Sequence, residues 1–192
     1  MNVIINKLTN FFVETEMESE TQRMIMRYGI ASMIGNITSI ILTIIMGILF
    51  EDIICSVLVW FFMFLLRKNA GGFHAKTVSG CLITSVGMLF IFFLIFSKIM
   101  PINPYINIAI IILMMIIVFA FAPVDNYPKR LDETEFEMYR KRSVIIGSIE
   151  AVIGMTAMLL KCDILVKAIL ISLSYVGASL IVGYILNIKK HI

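Results

Sequence analysis

The sequence predicts an all-α, polytopic membrane protein with about six transmembrane helices. Of its 192 residues, 60% are hydrophobic, whereas soluble domains are about 45–50% apolar. A chain of this length cannot bury such an excess in one water-soluble core. The apolar residues also form long continuous runs, as in membrane-spanning helices, without the alternating pattern of a membrane β-barrel.

Six apolar runs define the expected spans. They cover residues 30–50, 53–66, 81–97, 105–122, 144–160 and 168–188. Most of them approach the roughly 20 residues that a helix needs to cross the hydrocarbon layer. The second run has only 14 residues, a length that also suits a re-entrant or interfacial segment.

The distribution of lysine and arginine supports six crossings. From the N-terminal segment to the C-terminal tail, the segments outside the runs carry 3, 0, 3, 1, 5, 2 and 2 of these residues. The series alternates as the positive-inside rule requires and predicts a cell-membrane protein with both termini in the cytoplasm. It favours the second run as a short crossing. Because orientation accounts for the basic residues, the net charge of +3 indicates no nucleic-acid partner.

A single membrane domain is expected over residues 1–192, without a separate soluble domain. Residues 1–29 space large apolar side chains about one helical turn apart. This predicts either an amphipathic helix on the inner membrane surface or an ordinary helix packed on the bundle. Two cytoplasmic segments are long enough to carry function, residues 67–80 and 123–143. In the second, residues 132–142 predict a charged helix with either a solvated, self-paired face or a docking surface for a charged peptide.

The first cytoplasmic segment places one of the two histidines and one of the three cysteines seven residues apart, His74 and Cys81. On one continuous helix they would be about 10 Å apart, whereas a general base and its nucleophile must approach to about 3–3.5 Å. Gly71, Gly72 and Gly80 permit the backbone turns that would bring them together. Ser79 suits the N-cap of a following helix, whose first turn would stabilise a Cys81 thiolate.

This arrangement suits a thiol nucleophile with a histidine base. The histidine would remove the thiol proton and later protonate the leaving amine, while backbone N–H groups near Gly71 and Gly72 or at the helix start hold the oxyanion. A small buried thiol beside an unrelated interfacial histidine is the alternative. We expect no metal and no other cofactor, because one histidine and one cysteine leave at least two ligands of a metal site unfilled.

The stretch RKNAGGFHAK from Arg67 to Lys76, followed by Cys81, resembles the signature of the accessory gene regulator B family. These are bacterial membrane endopeptidases that mature quorum-sensing peptides. The similarity extends to the chain length, the multi-span layout and the sequence APVD that begins at Ala122. The resemblance implies a cysteine endopeptidase with His74 as base, Cys81 as nucleophile, and Arg67 and Gly72 as supporting motif positions.

The resemblance also implies the substrate. It would be a short, amphipathic propeptide at the membrane lipid surface, whose acidic C-terminal tail is removed while the remainder stays on the enzyme as a thioester. An internal cysteine or serine of the peptide would then close a thiolactone or lactone ring. A homodimer is a further expectation for this family.

A third member of the catalytic site remains open. The side chains that could orient the imidazole are those of Asn69, Thr77, Ser79 and Glu150. Glu150 is an acidic residue inside a span, which marks a functional site by default, although a structural pair with Arg142 fits equally well. Arg67 could bind a substrate carboxylate or face lipid phosphates.

Two other functions suit a small polytopic protein. The first is a non-catalytic transporter or export component for a small peptide. Against it, the spans contain almost no ionisable residue other than Glu150, whereas ion-coupled carriers need several. The second is a non-catalytic assembly partner that binds a membrane peptide, for which Cys81 would be dispensable.

Overall fold

Six helices make up most of the described part of the chain, which comprises residues 20–73, 78–96, 103–124 and 132–188 of a computed structural model. In chain order they are α1 Glu20–Leu49, α2 Ile53–Ala70, α3 Val78–Leu94, α4 Pro104–Phe121, α5 Glu133–Leu159 and α6 Asp163–Ile188. Each predicted apolar run falls on one of these helices, so the all-α prediction is confirmed. Residues 1–19, most of the predicted amphipathic segment, lie outside the described residues.

Four of the described helices, α2, α4, α5 and α6, are long and apolar enough to cross a membrane. The apolar parts of α1 and α3 are shorter, Met33–Leu49 and Ile83–Leu94. The helix that contains the second run is therefore long enough to cross a membrane. It has 18 residues because it continues past the last apolar residue to Ala70, where Arg67 and Lys68 suit the negative end of the helix dipole.

Helices α2 and α6 run in the same direction. At one end, Asp52 accepts a hydrogen bond from the backbone N–H of Cys55 and thereby caps α2, and its carboxylate lies 4.0 Å from the ammonium of Lys167 near the start of α6. At the other end, Arg67 contacts Tyr175. Three helices, α3, α4 and α5, lie between them along the chain.

The charged segment before the fifth run is helical and continuous with it. Asp132 and Glu135 form a reciprocal capping box at the start of α5, which pairs backbone N–H groups that the helix leaves free. The prediction of a charged helix is confirmed, since α5 begins at Glu133 and continues through the fifth run. Glu137 and Lys141 lie 3.8 Å apart on the exposed face, an arrangement typical of a solvated, self-paired surface.

Helix α6 is the central element of the described bundle. From residue 166 to residue 180, every residue is buried except the half-buried Lys167 and Ala178, and the helix contacts α2, α3, α4 and α5. Small residues permit this close approach. A Cβ on Gly177, for example, would lie 2.6 Å from the sulfur of Met114 on α4. The residues of α6 are therefore in a position to support segments from several other helices.

Candidate functional site

The described chain leaves the helical conformation at residues 71–73, immediately before His74. Helix α2 ends at Ala70 and α3 begins at Val78. Cys81 is the fourth residue of α3, within the turn whose backbone N–H groups lack partners inside the helix. His74 and the side chain of Cys81 lie outside the described residues, so their pairing stays a prediction. Ser79 is not the N-cap, because α3 starts one residue before it.

Residues 71–73, which we call the glycine turn, leave α2 in a conformation that requires glycine. Gly71 has a φ of 72° and Gly72 a φ of 134°, values that side chains with a Cβ rarely adopt. The backbone N–H of Val124 donates to the carbonyl of Ala70 at 3.0 Å. A Cβ on Gly71 would lie only 2.4 Å from the carbonyl oxygen of Val124. The two stretches that carry the family resemblance are thus in direct contact.

The glycine turn also rests on α6. The backbone N–H of Phe73 lies 3.0 Å from the carbonyl oxygen of Ser179 and 3.0 Å from its hydroxyl oxygen. A Cβ on Gly72 would meet that hydroxyl at 2.4 Å, and one on Gly183 would lie 3.0 Å from the nitrogen of Phe73. The last described residue before His74 is therefore attached to α6 at close range.

The guanidinium of Arg67 joins the glycine turn to α6 a second time. Its Nη1 donates to the hydroxyl of Tyr175, and its Nη2 lies 3.5 Å from the carbonyl oxygen of Phe73. The guanidinium carbon also lies 5.3 Å from the centre of the Tyr175 ring, a cation–π distance. The described contacts of Arg67 are thus with the protein itself, and its role toward a substrate or a lipid stays a prediction.

The α6 residues at the site, Tyr175, Ser179 and Gly183, did not emerge from the sequence. In the sequence, residues 168–188 form one continuous apolar run. Their spacing of four residues places them on one face of the helix. Polar and small residues at that spacing in an otherwise apolar helix indicate a surface that packs against protein rather than lipid. This was the signal in the sequence that could have identified them.

Glu150 lies on α5, buried in the core of the bundle and away from the glycine turn. It is 1% exposed, and no described residue donates a hydrogen bond to its carboxylate. The Ser172 hydroxyl faces it outside hydrogen-bonding geometry. Ser172 precedes Ser179 by seven residues, about 10 Å along the helix, so the structure does not bring Glu150 to Phe73. The alternative pair with Arg142 is absent, because that residue is exposed and about 12 Å away along α5.

We expect Glu150→Gln to leave the melting temperature unchanged or to raise it by up to about 3 °C. The amide keeps the size of the side chain and removes an ionisable group that has no hydrogen-bond partner among the described residues. Glu150→Ala should lower the melting temperature because it leaves a cavity. Thermal unfolding of the detergent-purified variants measures both. Equal destabilisation by Gln and by Ala would show that the carboxylate makes an interaction that an amide cannot replace.

Two of the three cysteines lie at the opposite end of the bundle from the glycine turn. Cys55 is buried in the first turn of α2, and Cys162 is exposed just before α6; both are free thiols. Cys81 lies in the first turn of α3, at the other end of the bundle. Within the described ranges, no group of three or more His, Cys, Asp or Glu side chains could hold a metal ion.

The fold and the site define a helical membrane protein whose central helix holds a glycine-containing turn between two helices. The chain belongs to the accessory gene regulator B family, because the model of that family, described as "Accessory gene regulator B", matches residues 5–189. Membership associates this membrane protein with the processing of quorum-sensing peptides.

Two relatives from Clostridium perfringens are similar to most of the chain. A protein of strain SM101 / Type A named "Putative AgrB-like protein" is 31% identical over 183 residues, which cover 88% of this chain and 84% of its own. A protein of strain 13 / Type A named "Putative AgrB-like protein 2" is 31% identical over 167 residues, or 81% and 77% of the two chains. No solved structure matches the chain.

Proposed function

We propose that this protein is a membrane-embedded cysteine endopeptidase that removes the C-terminal tail of a short autoinducing propeptide and promotes cyclisation of the remainder. The observation that carries the proposal is the attachment of the glycine turn to α6 and Val124 immediately before His74, with Cys81 in the first turn of the next helix. This arrangement supports a base held by a fixed backbone and a nucleophile at a helix start.

In the first step, His74 removes the proton of the Cys81 thiol, and the thiolate attacks the carbonyl carbon of the scissile peptide bond. Backbone N–H groups at the start of a helix such as α3 are suitable donors to the resulting oxyanion. The carbon–nitrogen bond then breaks, and the imidazolium returns its proton to the departing amine. The tail leaves with a new amino terminus, and the rest of the propeptide remains as a thioester on Cys81.

In the second step, an internal thiol or hydroxyl of the bound peptide attacks the thioester carbonyl. The new thiolactone or lactone bond forms, and the Cys81 thiolate leaves and is protonated again. Exchange of one thioester for another is nearly isoenergetic, whereas hydrolysis would destroy the intermediate. A site at the membrane boundary limits access of water, and binding of the peptide raises the effective concentration of its own nucleophile.

The site is proposed to face the cytoplasm. The end of the bundle where α2 and α4 terminate and α5 begins carries, besides Arg67, the described basic residues Lys68, Arg140, Lys141 and Arg142. The guanidinium of Arg140 lies 5.8 Å from the Phe119 ring near the end of α4, which attaches the first part of α5 to that end. Basic residues beside spans mark the cytoplasmic side, where an amphipathic propeptide would bind at the lipid surface.

The experiment that tests this function is detection of the acyl-enzyme. The full chain is co-expressed with a short propeptide that has an amphipathic start, an internal cysteine or serine and an acidic tail, then purified from membranes and analysed as intact protein by mass spectrometry. We expect an added mass equal to the propeptide without its tail, located on Cys81 and removed by hydroxylamine. A well-expressed protein beside uncut propeptide would contradict the proposal. Uncut propeptide recovered outside the cell would instead support an export component.

A further inference from the structure

The two backbone groups of Phe73, the residue before His74, are contacted by Ser179 of α6 and by Arg67 of α2. The backbone N–H of Phe73 donates to Ser179, whose carbonyl and hydroxyl oxygens are each 3.0 Å away. The carbonyl of Phe73 is 3.5 Å from Nη2 of Arg67, and Arg67 is itself held by the Tyr175 hydroxyl. Ser179 therefore contacts this segment directly, whereas Tyr175 acts on it through Arg67.

We propose that Ser179 and Tyr175 are positioning residues that set the location of His74 relative to Cys81. The carbonyl of Phe73 belongs to the planar peptide unit that leads into His74, and consecutive Cα atoms are about 3.8 Å apart. Contacts to the two backbone groups of Phe73 thus determine where the next residue starts. This inference rests on the proposed function, in which His74 is the base for the Cys81 thiol.

The glycine turn packs so closely against α6 that its backbone has little space for a different position. A Cβ on Gly72 would lie 2.4 Å from the Ser179 hydroxyl, and a Cβ on Gly183 would lie 3.1 Å from the carbonyl carbon of Gly72. The backbone of the turn therefore lies directly on the surface of α6 between Ser179 and Gly183. Because a displacement of about 1 Å can cost a catalytic group about 100-fold in rate, these contacts are at the scale that matters for a base and its nucleophile.

The test measures the reactivity of Cys81 without any propeptide. Purified full-length protein is treated with iodoacetamide between pH 5.5 and pH 9, and peptide mass spectrometry quantifies alkylation of Cys81 separately from Cys55 and Cys162. A thiol paired with His74 reacts at low pH as a thiolate, whereas an unpaired thiol reacts mainly near pH 8.5 and above. We expect the wild-type protein to show the first profile and His74→Ala the second.

Ser179→Ala and Tyr175→Phe remove the two hydroxyl groups and change little else. Each should reduce alkylation of Cys81 near pH 6.5 by about tenfold, toward the His74→Ala profile, with little change above pH 9. Ser179→Thr keeps a hydroxyl and should restore reactivity relative to Ser179→Ala. Ser172→Ala removes a buried hydroxyl of the same helix that makes no hydrogen bond with the described residues, and it should retain the wild-type profile.

The outcomes separate the positioning role from the proposed function. A wild-type profile equal to that of His74→Ala would overturn both, because no histidine would then act on Cys81. A His74-dependent profile that Ser179→Ala and Tyr175→Phe leave unchanged would overturn the positioning role alone. A lower melting temperature in these variants with an unchanged Cys81 profile would have the same meaning, since it would show a purely structural contribution of the two hydroxyls.

Discussion

A protein with Cys81→Ala is expected to insert into the membrane normally and to leave the propeptide uncut, with tail release reduced by at least about 10³-fold. Without the thiol, no thioester forms, and water at the membrane boundary is a poor substitute for the nucleophile. His74→Ala should reduce tail release by a similar factor, because the thiol then lacks its base. The double variant should be no worse than Cys81→Ala, since residues that act as one unit are not additive.

The measurement is tail release in membranes that contain equal amounts of each variant, followed by mass spectrometry of the peptide products. Cys162→Ala is the matched control, because Cys162 is an exposed free cysteine at the opposite end of the bundle. It should cleave as the wild-type protein does. Tail release by Cys81→Ala within tenfold of the wild-type rate would overturn the endopeptidase proposal and favour a non-catalytic role in binding or export.

Gly72→Ala is expected to reduce tail release by at least about 100-fold while the helices remain folded. The substitution meets two obstacles at once. The φ of 134° at Gly72 is unfavourable for alanine, which costs about 1–3 kcal/mol, and the new methyl group would lie 2.4 Å from the Ser179 hydroxyl. Because the glycine turn lies between helices rather than inside one, it can shift away from α6 without disrupting the bundle.

Gly87→Ala provides the control for this effect. Gly87 lies within α3, and a Cβ there would have no neighbour within 4 Å. Alanine should stabilise the helix by up to about 1 kcal/mol and leave tail release unchanged. Comparison of cleavage rates and circular dichroism for the two variants separates a displaced turn from a general effect of added methyl groups. Equal cleavage by Gly72→Ala and Gly87→Ala would show that catalysis does not depend on the conformation of the turn.

The site draws on segments that are far apart in the chain. The end of α2, Val124 and the second half of α6 meet at the glycine turn. The hydrogen bond between Arg67 and Tyr175 joins residues 108 positions apart, and that between Phe73 and Ser179 spans 106 positions. Such contacts leave no local pattern, because the intervening chain neither spaces nor orients the two partners.

Local patterns were sufficient for the helices themselves. Backbone groups in lipid must be paired within the same segment, so each long apolar run predicts a helix. The ends were less predictable. A span judged by apolar residues stops at Leu66, whereas α2 continues to Ala70, where the Asn69 amide donates to the carbonyl of Leu65 at 2.9 Å. Charged and amide side chains can continue a helix that hydrophobicity alone would end.

The neighbours of Glu150 could not be predicted from its position along α5 alone. The sequence placed an acid inside the fifth span and offered the imidazole of His74 or Arg142 as its partner. In the folded chain it faces Ser172 in the core, with no donor among the described residues. The direction of a side chain is set by the packing of α5 against α6, which the sequence of α5 does not contain.

The sequence by itself determined the helical membrane architecture, the family, and the pair His74 and Cys81 as the proposed reacting groups. These follow from apolar run length, glycine-permitted turns and motif spacing, all of which are local. Only the tertiary structure decided that Tyr175 and Ser179 hold the segment before His74, and that Arg67 points into the protein. The physical reason is that hydrogen bonds between distant segments depend on how the helices pack, and α6, the most buried helix, brings those segments together.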